Sequence, residues 1–378
     1  MNKMRWVALA AALAMAVTPV MSMAETTVDA TSDRGIVLCD VEDNPMIEGE
    51  SPVTGRTLAD LEVPDGFAGQ AATGRYMPMM TQIDNADGGV GYRAPWGAQY
   101  ADVVYETPLY EAGDTRISFI FSDLIPDAVG PVRSARVGHV WIREEWDCGF
   151  MFYGGQEAEM TNIYDQFKLY GADKKGVLFS GIVGDSPSHP WKKYYYERTV
   201  PKLASPHNKG GNAAAMIALV PEDHTAANHT WLFTDEPAEG DAATEINVLW
   251  RPKTAKSEYN SRFVWDEETN SYLRYTLEDP DNPALYVDLD DQEAITFNNV
   301  IIQFTETTFY GSDAPLMHNV GEGNADFFMN GVHVAGYWKR ADMSSRTVYY
   351  DADGNELELQ RGRTMIIMIQ PEKKVTYQ

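Results

Sequence analysis

Residues 115–153 read TRISFIFSDL IPDAVGPVRS ARVGHVWIRE EWDCGFMFY, and their order of patterns decides the fold class. Residues 116–122 are apolar and β-branched, which predicts a buried strand. A loop over 126–131 follows, and apolar residues at helical spacing then predict a helix over 134–146. Residues 150–153 form a second short strand that ends at a Gly-Gly pair. Strands that alternate with helices predict a layered α/β or α+β domain.

The same mixed pattern extends over residues 66–220, which we interpret as the N-terminal domain. Residues 76–83 predict a buried strand that ends at Asp84-Asn85, residues 102–106 a short strand or helix end, and residues 156–169 a helix. Residues 25–65 are polar and acidic, and we expect a loosely ordered lead-in that ends in a turn over 51–55. Residues 221–244 are rich in Gly, Pro and Asp and predict a linker.

Residues 245–375 change character and predict a mostly antiparallel β domain. Asn330-Gly331 and Asp353-Gly354 are strong hairpin signals, because both residues of a tight hairpin turn take positive φ. The predicted strands cover residues 246–250, 262–265, 272–276, 300–304, 325–329, 332–338, 347–350 and 365–369.

The first 24 residues have the pattern of a secretory signal. Lys3 and Arg5 precede an apolar run over 6–17, and Ser22-Met23-Ala24 resembles a cleavage site. We therefore expect export, an extracytoplasmic location (secreted or at the cell envelope) and no membrane span after cleavage, although an uncleaved anchor is the alternative. Export would permit a disulfide between Cys39 and Cys148, but the spacing leaves that pairing open.

The formal net charge of −26 argues against a nucleic-acid partner. Against this background Arg116, Arg133 and Arg136 stand out, because the arginine fork matches carboxylates and phosphates. Two interpretations remain open: an anion-binding site, or internal ion pairs with nearby acids. Those acids are Glu106, Glu111, Asp114 and Asp123.

Other polar motifs carry weaker signals. Ser134 is best explained as the N-cap of the predicted helix. His207, within Ser205-Pro206-His207-Asn208, is suited to bind an anion or a metal, to act as an acid or base, or simply to stabilise a turn. The aromatic run over 191–198 predicts either a wall that faces a sugar or a β-edge packed on the core. Histidine spacing predicts no metal site, and the absence of phosphate-loop motifs predicts no cofactor.

The ordered motifs resemble those of YerB-like bacterial envelope proteins, a family of unknown function with N- and C-terminal domains. The resemblance rests on 51–55, 83–85, 101–106, 115–116, 130–136, 205–208 and several positions between 299 and 362. It implies export and the two-domain architecture, and it implies no activity. Family members look like lipoproteins, whereas this chain lacks the lipid-modified cysteine. A more basic family motif is replaced here by Tyr92-Arg93-Ala94-Pro95-Trp96.

These observations favour an envelope protein that binds a phosphate- or carboxylate-bearing ligand, either a cell-wall polymer or a lipid-linked precursor. A fainter similarity to the LytR–CpsA–Psr phosphotransferases suggests an envelope phospho-glycan enzyme as the alternative, so catalysis is left open. A structural module that contacts an envelope protein partner is the third hypothesis. The candidate ligand-binding residues are Arg116, Arg133, Arg136, Arg93, His207, Asn208, Asp84 and Glu106.

Overall fold

The structure is a computed structural model that describes residues 25–31, 43–85, 94–200, 202–251, 260–276, 283–311 and 313–378. Strands dominate these residues and helices are few and short, and the predicted fold class is confirmed. The helices are α1 Gln70–Thr73, α2 Val137–Trp146, α3 Ile163–Leu169 and α4 Ala213–Ile217. The strands before residue 221 are β1 Thr26–Thr27, β2 Met79–Ile83, β3 Val103–Pro108, β4 Thr115–Phe121, β5 Gly149–Phe152, β6 Leu178–Ser180, β7 Tyr195–Glu197 and β8 Lys209–Gly211.

The strands after residue 221 include the long hairpin β19–β20. They are β9 Leu232–Thr234, β10 Asp241–Ala242, β11 Glu245–Leu249, β12 Asn260–Asp266, β13 Ser271–Thr276, β14 Ala284–Leu285, β15 Thr296–Phe297, β16 Asn299–Phe304, β17 Thr307–Phe309, β18 Pro315–Met317, β19 Gly321–Met329, β20 Val332–Arg340, β21 Val348–Asp351, β22 Glu358–Gln360, β23 Thr364–Ile369 and β24 Lys374–Tyr377. The β19–β20 turn has positive φ at Asn330 (52°) and Gly331 (73°), so the hairpin predicted from this dipeptide is confirmed.

The largest sheet contains strands from both sequence regions. Its order is β10-β20-β19-β16-β23-β3-β4-β2-β5-β6, with β21 beside β20. Strand β23, near the C-terminus, pairs in parallel with β3. Residues 66–220 and 245–375 therefore share one hydrogen-bonded sheet rather than forming two separate sheets.

Alternate residues of β3 and β4 face two different cores. Val104, Ile117 and Phe119 pack into the core shared with the second large sheet, of order β1-β24-β11-β12-β13-β14. Tyr105 and Ile120 pack into the core beneath α2. Since side chains in a strand alternate between faces, Arg116 faces the α2 side and Glu106 faces the opposite side.

Local boundaries differ from the sequence predictions in several places. Helix α2 begins at Val137 rather than Ser134, and α3 covers only seven residues of the predicted 156–169 helix. The region predicted as a linker contributes β9, which pairs in parallel with β22. Residues 51–55, predicted as the end of a loose lead-in, are buried.

Two predictions about the N-terminal part lie outside the described residues: the signal segment 1–24 and the state of Cys39. Cys148 is buried, and burial raises the pKa of its thiol to about 12. None of the helices in the described ranges is long and apolar enough to cross a membrane.

Candidate functional site

Arg116, Arg133 and Arg136, the arginine cluster, come from a strand, a loop and a helix start. Arg116 pairs with Thr107 across β3 and β4. The loop before α2 runs beside β2, since Ile83 bridges Val132 and the Arg133 N–H donates to the Gln82 carbonyl at 2.8 Å. Arg136 is the N-cap residue of α2. Their proximity shows in the pKa of Arg116. Burial lowers this pKa most, and the charges of Arg136 and Arg133 lower it further.

Asp84, at the end of β2, is the buried carboxylate of this cluster. Its Oδ2 lies 2.5 Å from Nδ1 of His207 and 3.6 Å from Nε of Arg133. Burial would raise the pKa of Asp84, but the hydrogen bond with His207 and the charges of Arg116 and Arg133 outweigh it, and the pKa lies below its ordinary value. The structure thus brings Asp84, His207 and Arg133 together.

Arg116 is the most deeply buried of the three arginines, at 3% exposure. Nη1 donates to the Ser134 carbonyl at 2.9 Å, while Nε has no hydrogen-bond partner among the described residues. Burial, opposed by the charge of Asp84, lowers the pKa of Arg116 from 12.5 to about 9. This guanidinium is therefore held in an environment that disfavours its charge.

Arg136 binds the hairpin between β17 and β18. Nε donates to the Asp313 carbonyl at 2.8 Å, and Nη2 lies 3.3 Å from Oδ2 of the same residue. Burial lowers the pKa of Arg136, and the Asp313 carboxylate partly restores it. The C-terminal sequence region thus supplies one wall of a site that the N-terminal region builds.

His139 supports the cluster from the first turn of α2. Its Nδ1 accepts a hydrogen bond from the Arg136 backbone N–H at 2.9 Å, so its proton is on Nε2, 3.0 Å from the Thr107 hydroxyl. Burial and then the charges of Arg116 and Arg136 lower the pKa of His139 well below its ordinary value. The neutral ring adds no further positive charge to the site.

The remaining predicted site residues lie elsewhere or in other roles. Glu106 contacts a different buried network, in which Arg274 Nη2 lies 3.0 Å from its Oε2. Asn208 is buried beside β7, and its carbonyl accepts from the Arg198 N–H at 2.7 Å. Arg93 lies outside the described residues. Ser134, predicted as an N-cap, instead donates its hydroxyl to the Tyr153 carbonyl at 3.1 Å.

Sequence reasoning missed Asp313, Tyr110 and the role of His139. Asp313 is 177 residues from Arg136 in the chain, and no local pattern marks that contact. Tyr110 lies near both Arg116 and Arg136, since its ionised form would raise the pKa of each. Of these three residues, only His139 has a position in the sequence that indicates its role. It is the third residue of the helix, where a side chain can accept a hydrogen bond from the N-cap N–H.

The described residues contain no group of three or more His, Cys, Asp or Glu side chains placed to hold a metal ion. What the site presents is three guanidinium groups, one histidine and two carboxylates, Asp84 and Asp313. Such a set can bind an anion by charge-assisted hydrogen bonds.

The fold and this site define a mostly β protein in which one sheet joins two family domains. The family model for the protein of unknown function (DUF3048) N-terminal domain matches residues 67–223, and the model for its C-terminal domain matches residues 251–366. The chain belongs to this family. The predicted YerB-like membership is confirmed.

A crystal structure of the YerB protein from Bacillus subtilis has the same fold. It is 19% identical, the alignment covers 85% of this chain and 96% of that chain, and the TM-score is 0.64. No curated protein matches the sequence. The likeness establishes the architecture and does not assign an activity or a ligand.

Proposed function

We propose that this protein binds an anionic ligand, phosphate- or carboxylate-bearing, through the arginine cluster. The observation that carries the proposal is Arg116. It is almost fully buried, makes one side-chain hydrogen bond among the described residues, and has its pKa lowered to about 9. A buried arginine in a purely structural role is normally saturated with partners.

Arg143 shows what a structural arginine looks like in the same protein. Its guanidinium donates to the Cys148 carbonyl at 3.0 Å, to Glu144 at 2.9 Å and to Asp147 at 2.7 Å. Among the residues that the structure describes, Arg116 has no comparable set of partners, and two like charges lie nearby. A bound anion would supply the missing acceptors and offset the repulsion.

Charge and access also support binding at this cluster. Three guanidinium groups face two carboxylates, so the local balance is positive in a chain of net charge −26. The Arg133 and His207 side chains are 22% and 16% exposed, which leaves a route for a ligand. The Asp313 side chain is 37% exposed, so a stronger anion can displace it from Arg136.

The test is a thermal-shift titration of the purified protein with inorganic pyrophosphate, followed by calorimetry. We expect a rise in Tm that follows the ligand concentration. Arg133→Gln removes a partly buried cation and its ion pair with Asp84, and it is expected to abolish the shift while lowering the unliganded Tm by no more than about 4 °C, because such a pair contributes about 0–1 kcal/mol.

Arg116→Met and Arg143→Met form a matched pair of buried substitutions. Arg116→Met is expected to keep stability within about 1 kcal/mol, because removal of a disfavoured charge offsets the lost hydrogen bond, and to lose pyrophosphate binding. Arg143→Met leaves the buried Glu144 carboxylate and the Cys148 carbonyl without their donor, although Asp147 keeps Lys175, and it is expected to cost about 3–5 kcal/mol. If Arg116→Met destabilises as strongly as Arg143→Met, or if Arg133→Gln still binds pyrophosphate as the parent does, the cluster holds the fold and the proposal fails.

We also propose that the protein is exported, on the strength of the signal pattern over residues 1–24. Intact-mass measurement of protein produced in a bacterial host is expected to give a chain that begins at Glu25. A mass that retains residues 1–24 in an inner-membrane fraction would support the uncleaved anchor instead.

A further inference from the structure

We infer that the ligand of the arginine cluster is a linear polyanion that carries phosphate or carboxylate groups along its length. This inference rests on the proposed function and adds a second cationic subsite to it. The lysine subsite consists of Lys192 and Lys209 around the ring of Tyr153. No motif in the sequence joins these three residues, which come from three separate segments.

The two lysines converge on one aromatic ring. The Nζ atoms of Lys192 and Lys209 lie 5.4 Å and 5.7 Å from the centroid of Tyr153. At this distance the electron-rich ring face stabilises an ammonium group. The Tyr153 ring lies against the backbone at Gly181, where a Cβ atom would come within 2.3 Å of it. The ring therefore has a fixed place, and both ammonium groups lie near it.

The lysine subsite adjoins the arginine cluster through the backbone. The Tyr153 N–H donates to the Arg133 carbonyl at 2.9 Å, and the Val132 N–H donates to the Lys209 carbonyl at 2.7 Å. Hydrogen-bonded extended segments lie about 4.8 Å apart. The backbones of Lys209 and Tyr153 therefore each lie about that distance from the loop that carries Arg133. His207, which contacts Asp84, precedes Lys209 by two residues. The backbone segments that carry the two subsites are thus directly adjacent.

The carboxylate that currently neutralises this subsite is exchangeable. Lys209 forms an ion pair with Glu197, whose side chain is 61% exposed while that of Lys209 is 13% exposed. An ion pair with so exposed a partner contributes little to stability, so an incoming anion can replace it. Lys192 donates to the Gly181 carbonyl and has two further N–H donors.

A compact anion such as pyrophosphate covers one subsite, whereas a chain with repeated charges covers both. Tethering the second group to the first raises its effective concentration and hence the overall affinity. Phosphate-bearing and carboxylate-bearing polymers share this chemistry, and the experiment separates the two sources.

The experiment compares three probes on the purified full-length protein by calorimetry: inorganic pyrophosphate, long-chain polyphosphate and polygalacturonate. We expect Lys192→Gln/Lys209→Gln to weaken long-chain polyphosphate about 10-fold and to leave pyrophosphate affinity unchanged. Glu197→Gln releases Lys209 and is expected to strengthen long-chain binding about 3-fold without an effect on pyrophosphate. Lys193→Gln is the matched control, because Lys193 is exposed and lies over the ring of Tyr194 instead.

The outcomes separate this inference from the proposed function. If the double lysine variant binds long-chain polyphosphate as tightly as the parent, the lysine subsite is overturned. If Arg133→Gln has also lost pyrophosphate binding in that case, the proposal for the arginine cluster still holds. Equal loss of both probes in the double lysine variant would also overturn it, because the lysines would then act on the first subsite. Preference for polyphosphate assigns a phosphate-bearing ligand, and preference for polygalacturonate assigns a carboxylate-bearing one.

Discussion

Asp123→Ala is expected to lower the free energy of unfolding by about 2–4 kcal/mol. The Asp123 carboxylate is 2% exposed and accepts hydrogen bonds from Ser51 Oγ at 2.6 Å and Thr54 Oγ1 at 2.7 Å. These bonds attach the buried 51–55 turn to the end of β4. Each hydroxyl left without an acceptor costs about 1–3 kcal/mol, which sums to about 2–6 kcal/mol.

Two features bring the expected value into the lower part of this range. The Ser51 oxygen also accepts the Thr54 N–H at 3.1 Å, so part of the turn survives. Asp102 lies beside Asp123, and burial and then the Asp123 charge raise the pKa of Asp102 well above its ordinary value. Removing Asp123 relieves that repulsion and offsets part of the loss.

The assay is urea unfolding at neutral pH, with stability taken from the midpoint and slope. Ser51→Ala/Thr54→Val, made in the parent and in Asp123→Ala, completes a double-mutant cycle. We expect the hydroxyl substitutions to cost much less once Asp123 is absent, because they act through the same contacts. A loss below about 0.5 kcal/mol for Asp123→Ala, or full additivity in the cycle, would refute this account of the turn.

Three further predictions concern titratable groups. The stability of Asp102→Asn relative to the parent is expected to rise with pH above about 4. The parent loses stability as pH rises, because the folded pKa of this carboxyl is raised, whereas an amide cannot ionise. Parallel urea melts across the pH range check this. Asp84→Asn should show the opposite pH dependence. The folded pKa of Asp84 is lowered, so its charge stabilises the fold above about pH 4. The variant should therefore lose about 1–3 kcal/mol of stability at neutral pH and approach the stability of the parent in acid. In Cys39→Ser protein, Cys148 should resist a thiol reagent at pH 8 until urea is added, because its thiol is buried with a pKa of about 12; rapid labelling of the folded protein would contradict its burial.

The sequence predicted elements whose signal is local. The apolar, β-branched run over 116–122 marked β4, and the Asn330-Gly331 pair marked the β19–β20 hairpin, because strand propensity and turn dihedrals depend on neighbouring residues. Three arginines within a short acidic stretch likewise marked the arginine cluster. The start of α2 was misplaced by three residues, since capping depends on which side chain can reach an N–H, and Ser134 binds Tyr153 instead.

Composition and pattern alone determined the fold class, several of the longer strands, such as β4, β16 and β23, and the three arginines as the principal charged motif. Only the tertiary structure decided that β23 pairs with β3, that Glu106 faces away from Arg116, and that Asp313 and the lysine subsite lie beside the cluster. The physical reason is that pairing between distant strands is set by the packing of whole sheets against two cores. Contacts across 177 residues, such as that of Arg136 with Asp313, leave no trace in local pattern.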